Sequence, residues 1–152
     1  MIKALLCTVL AMVSFTANAQ VKAFEKYADM KDVTYVFISK YMLGLASKNA
    51  TPSIPKVDIN TLKNKLTGIQ IIHSEKKGMR KKLKSDVQEI LDRDKYEVLM
   101  QVKEDNNNVN IFHCVNKRQS AVVMLVEEDS GITAIVFSGK FNMDDVMKMV
   151  QE

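Results

Sequence analysis

Cysteine is scarce in this chain of 152 residues, where Cys7 and Cys114 are the only two. If the segment holding Cys7 is removed, as argued below, one thiol remains and no intramolecular disulfide can form. Tryptophan is absent and aromatic residues make up only 7%, which argues against a surface that stacks on sugar rings. The only histidines are His73 and His113. They form no cluster with Cys114 and carboxylates at the short spacings zinc requires, so no metal is expected. The tract Asp105-Asn106-Asn107-Asn108 lacks the glycine and the distal glutamate of an EF-hand calcium loop and reads as a turn. No Gly-x-Ser-x-Gly elbow surrounds a serine, and no glycine-rich loop is available to cradle a phosphate. No cofactor is expected either.

What is present begins at the N-terminus. Lys3 precedes an apolar run from Ala4 to Phe15, and small residues follow at Ala17 and Ala19. A positive start, about a dozen apolar residues and small side chains one and three before a cut are the parts of a secretory signal. Cleavage is expected between Ala19 and Gln20. Residues 1–19 then form the signal, and 20–152 form a single domain of ordinary size. The run is too short to span a bilayer, which takes about 20 apolar residues, and no later segment is longer. A lipid-attachment cysteine follows the apolar run behind a small residue, whereas Cys7 lies inside the run behind Leu6. The product is therefore expected to be exported, periplasmic or secreted, without a lipid anchor. The formal charge of +4 falls by one with Lys3, an excess too small to suggest nucleic acid.

Along the chain, Phe24, Tyr27 and Ala28 predict a short amphipathic helix within 20–31. Residues 33–39, rich in β-branched and aromatic side chains, predict a strand. A short helix over 40–47 with Met42, Leu45 and Ala46 inward follows. Pro52 and Pro55 mark a loop over 49–56. Asp58 or Asn60 can cap a brief helix to Leu66, and 69–73 reads as a strand. The longest helix covers 78–94, with Met79, Leu83, Val87, Ile90 and Leu91 on one stripe. Four strands then follow, over 97–103, 109–115, 121–127 and 132–138, joined by short turns that imply an antiparallel meander. Asn142 caps a last helix with Met143, Val146, Met147 and Val150 inward. The expected fold is α+β, an antiparallel sheet ending in a four-strand meander with helices packed on one face.

The stretch Phe24-Glu25-Lys26-Tyr27, followed by Val33-Thr34-Tyr35-Val36-Phe37-Ile38-Ser39-Lys40-Tyr41-Met42, resembles a family of exported proteins from Bacteroidota, domain-of-unknown-function family 4252. The order of later elements is similar as well, so the resemblance covers most of residues 20–152. Many members carry a lipoprotein cysteine after the signal, and this chain departs from them there. The resemblance implies no activity and no catalytic residues.

Two groups of residues remain as candidates. Lys76, Lys77, Arg80, Lys81, Lys82 and Lys84 crowd the start of the long helix, while Asp86, Glu89, Asp92 and Asp94 lie in its second half. The helix dipole favours the reverse arrangement by about 0.3–1 kcal/mol per charge. The cluster is thus a candidate patch for an anionic partner: an envelope protein, a membrane surface or lipopolysaccharide phosphates. A solvated face with i,i+4 pairs such as Lys82 with Asp86 is the favoured reading of the cluster, since basic runs on exposed helices are common. The second group is Cys114 with His113 or His73, for a small hydrolase or thiol enzyme. Neighbours in a strand point to opposite faces, which separates Cys114 from His113, so His73 would have to approach across the sheet. The expectation favours a non-enzymatic binding domain of the cell envelope. A thiol enzyme and an envelope-stress or regulatory component acting through protein contacts are the alternatives.

Overall fold

The computed structural model describes residues 19–45, 60, 62, 64–115 and 118–150. Helix α1 (Ala19–Glu25) runs into a 3-10 turn (Lys26–Asp29), then strand β1 (Thr34–Ser39) and helix α2 (Lys40–Leu45). Strand β2 (Leu66–Ser74) and helix α3 (Lys77–Arg93) follow. Strands β3 (Glu97–Glu104), β4 (Asn107–Cys114), β5 (Ser120–Glu127) and β6 (Ile132–Gly139) lead to helix α4 (Met143–Val150). The signal segment and the Pro52–Pro55 loop expected from sequence lie outside the described residues, apart from Ala19 at the end of the former.

One six-stranded antiparallel sheet has the order β1-β2-β6-β5-β4-β3. The expected meander is present as β3 to β6, and the α+β class holds. The β3–β4 connection is a two-residue turn in which Asp105 takes the left-handed backbone (φ 43°) that Asp tolerates. Strand β2 completes the sheet by pairing with the last strand, and β1 lies outside it.

The cover of the sheet is fuller than expected. Phe24, Tyr27, Leu83, Val87, Ile90 and Leu91 of α1, the 3-10 turn and α3 pack on one face against Ile72, Phe112, Val123, Leu125, Ala134 and Val136. Leu43 of α2 and Val146 and Met149 of α4 pack on the other, against Ile69, Ile111, Val122, Met124, Ile135 and Phe137. Helices thus lie on both faces, not one. The apolar run from Ala121 to Leu125 is buried at every position, as a strand covered on both sides must be.

Three smaller expectations change. The Leu62 carbonyl accepts from the amides of Lys65 and Leu66, and Leu66 already opens β2. The brief helix to Leu66 is therefore not formed at 64–66. In α2 the inward residue is Leu43, while Met42 and Leu45 face solvent; Ala46 lies outside the described residues. In α4 the inward residues are Val146 and Met149, with Val150 partly buried, while Met143 and Met147 are exposed. The cap fixes that rotation. Asn142 Oδ1 accepts from the Asp145 amide at 3.0 Å, and Asp145 Oδ2 accepts from the Asn142 amide at 3.0 Å. This reciprocal box turns Asp145 inward beside Val146 and leaves Met143 outside.

Candidate functional site

The sheet has two edges, and they are built differently. Strand β3 carries Glu97, Lys103 and Glu104 and a register irregularity between Val98 and Met100. Charges and bulges at an edge discourage a further strand from adding to it. Strand β1 is Thr-Tyr-Val-Phe-Ile-Ser, with no charge and a regular register to β2.

The β1 edge continues into an apolar surface. Val36 is 42% exposed, Phe37 52%, Tyr41 74%, Met42 57% and Leu45 63%. Ser39 makes this concentration possible by turning strand into helix without a loop. Its Oγ accepts from the Met42 amide at 3.3 Å, so it caps the first turn of α2. On the α1 face, Tyr35 Oη accepts from Gln70 Nε2 at 2.9 Å. The Phe37 ring lies across Gly68, where a Cβ would come within 2.8 Å of it. Beside that ring is a recess of about 230 Å³, lined by Lys22, Glu25, Phe37, Gly68, Gln70 and Ser138. Nothing in the sequence marked this surface. Residues 33–39 read as an ordinary strand, and edge position is a property of the pairing order.

The basic cluster at the start of α3 divides in two. Arg80 donates from Nη1 to the Asp129 carbonyl and from Nη2 to the Ser130 carbonyl, each at 2.8 Å. Its Nε donates to the Glu75 carbonyl at 3.1 Å. The guanidinium therefore holds the β5–β6 turn. Lys82 pairs with Asp86 at 2.8 Å, and Lys84 with Glu127 at 3.0 Å. Lys76, Lys77 and Lys81 are exposed, and no ion pair joins them to the described residues.

The candidate thiol site does not assemble. His73 pairs with Thr133, which stands opposite Val126, which stands opposite Val109. Cys114 lies five residues beyond Val109 on β4, three strand spacings from β2. The separation is therefore about 14 Å across the sheet and about 17 Å along it. His73 Nδ1 instead meets Thr133 Oγ1 at 2.9 Å. Cys114 Sγ contacts the Asp94 carbonyl oxygen at 3.7 Å. His113 projects to the other face, its Nε2 3.9 Å from Glu97 Oε2. Among the described residues, no group of His, Cys, Asp and Glu could hold a metal ion.

A second basic locus surrounds the start of α4. Lys65, Arg118 and Lys140 line a shallow recess of about 530 Å³ together with Phe141, Asn142 and Asp145. Lys65 Nζ donates to Asp145 Oδ1 at 2.6 Å. That bond and the amide of Asn142 hold the Asp145 carboxyl below the usual carboxylate range. Asp145 offsets part of the positive charge there. Sequence spacing gave no signal for this locus, because Lys65 and Asp145 meet only through the β2–β6 pairing.

A family model described as "Domain of unknown function (DUF4252)" matches residues 27–149. No curated protein and no solved structure matches the chain.

Proposed function

The chain belongs to the family described as domain of unknown function DUF4252, and we propose that it is an exported, non-enzymatic interaction module whose contact surface is the β1–α2 edge. The observation that carries this reading is the run of five large apolar side chains, Val36, Phe37, Tyr41, Met42 and Leu45, exposed within ten residues. Apolar side chains exposed in such number at a sheet edge and the helix that follows it mark sites where proteins meet. Export is supported by the signal pattern of residues 1–19. The separation of Cys114 from His73 weighs against a thiol enzyme using that pair. The basic cluster supports contact with an anionic surface less well, since Arg80, Lys82 and Lys84 already have intramolecular partners.

Two pairs of substitutions test the choice of surface. Tyr41→Asp with Leu45→Asp adds charge to the apolar edge, and both positions are exposed enough to leave the core intact. Lys77→Glu with Lys81→Glu reverses the two lysines of α3 that pair with none of the described residues. Capture of envelope components by the protein is expected to fall at least tenfold with the first pair and to change little with the second. The reverse result would move the contact surface to α3.

A further inference from the structure

We infer that the occupant of the β1 edge is a second copy of the same chain, bound by antiparallel β1–β1 pairing about a two-fold axis at Val36. The inference rests on the reading of β1–α2 as a contact surface and adds its partner and register.

Backbone chemistry limits how two copies of β1 can pair. Along an edge, alternate residues turn their N–H and C=O groups outward. Antiparallel partners must therefore match even-numbered residues with even or odd with odd. For a strand meeting itself about a two-fold axis, that centres the register on a residue and not between two. The uncharged six-residue strand offers Val36 and Phe37 near its middle.

Charge decides between them. Asp32 and Lys40 flank β1 at its two ends, both are exposed, and neither makes an ion pair with a described residue. Asp32 is held at the strand entrance, where its carbonyl accepts from Ser74 Oγ at 2.7 Å. With the axis at Val36, the left-handed turn residue Asp32 (φ 63°) before β1 of each copy comes to the end of the pair where Lys40 opens α2 of the other, so opposite charges meet at both ends. An axis at Phe37 would slide the copies by two residues and carry Lys40 past Asp32 to the level of Thr34.

The Val36 register also places Tyr35 of each copy opposite Phe37 of the other. Cross-strand aromatic pairs of this kind stabilise antiparallel sheets. Thr34 then meets Ile38, and Val36 meets itself. The result is a continuous sheet of two six-stranded halves, joined at the edge without charge and ended at the two charged, irregular β3 strands. Interfaces about a two-fold axis require such self-complementarity.

Sedimentation of the purified protein over a range of concentrations reads the assembly. A dimer is expected, and Val36→Lys, which sets two ammonium groups against each other on the axis, is expected to raise its dissociation constant at least a hundredfold. Circular dichroism confirms that the variant folds. Val36→Cys provides a second reading that needs no disruption. Mild oxidation is expected to link copies through that position, and not through Phe37→Cys, which faces Tyr35. Asp32→Lys and Lys40→Asp are each expected to weaken the dimer by up to about tenfold, since two exposed ion pairs are lost. The double exchange is expected to restore it.

A protein that stays monomeric at every concentration overturns the inference. So does a dimer indifferent to Val36→Lys, or one that links more readily through Phe37→Cys. If the chain is monomeric but envelope capture still depends on Tyr41 and Leu45, the contact surface stands and only self-pairing falls. If neither assembly nor capture responds to substitutions at β1–α2, both readings fall.

Discussion

Single residues set the tolerance of this fold at its junctions. A Cβ at Gly139 would run into the Lys65 carbonyl oxygen and come within 2.9 Å of Leu66 Cα. Both obstacles are backbone at the start of β2 and cannot move aside without breaking the β2–β6 pairing. Gly139→Ala is expected to cost about 3 kcal/mol, the upper range for overpacking, read as a lowered urea midpoint. Asp145 works at the same junction, its carboxylate accepting from the amide of the cap residue Asn142 and pairing with Lys65. Asp145→Ala is expected to cost about 1–2 kcal/mol. Its carboxyl is depressed in the folded state, first by Lys65 and then by the Asn142 amide. The stability it contributes is therefore complete above the unfolded value near 4 and is lost as pH falls through the lower folded value. Asp145→Asn is expected to flatten that acid limb in a stability-against-pH series. Tyr27 and Tyr96 show the reverse case. Burial above all, then the nearby Asp86 carboxylate for Tyr27 and the Cys114 thiol for Tyr96, pushes both phenols upward, so they stay neutral throughout the range where the protein is handled.

At the scale of elements, α3 shows how a charge cluster that looks like a docking patch can also serve the fold. Arg80 spans from helix to turn with three donors in a planar fork, a geometry lysine cannot copy. Arg80→Ala and Arg80→Lys are both expected to cost about 1 kcal/mol. Both should speed amide exchange at Gly131, whose N–H is bonded across the turn to Glu128. The sequence disclosed α3 and the four meander strands almost to the residue, because each is a sustained apolar pattern bounded by turn residues. Leu83, Val87, Ile90 and Leu91 repeat at helical spacing, and Asp105-Asn106 supplies the backbone a two-residue turn demands. It disclosed the rotation of α2 and α4 poorly. Met42, Leu45, Met143 and Met147 are as apolar as Leu43 and Met149, and only the caps at Ser39 and Asn142 decide which of them turn inward. The second layer of helices was legible in principle, from the unbroken apolar run of β5. The contact edge was not, since a strand at the rim and a strand in the middle can share one composition.

For the molecule as a whole, the proposed export would leave a mark that can be weighed. The isolated protein is expected to begin at Gln20, and intact mass is the measurement; a product retaining residues 1–19 would count against the signal reading. The strand order adds a consequence in time. Strand β2 emerges early in synthesis, yet its inner neighbour is β6, the last strand to be made. Among the described strands, β1 and β2 have only each other until β6 arrives, and an isolated two-stranded pair is marginal in water. The sheet thus cannot close on a partly made chain. Such long-range pairing is slow to form, and the proposed export of an unfolded chain would gain a delay from it. The same fold, closed by β6, would remain threadable until that strand has been made.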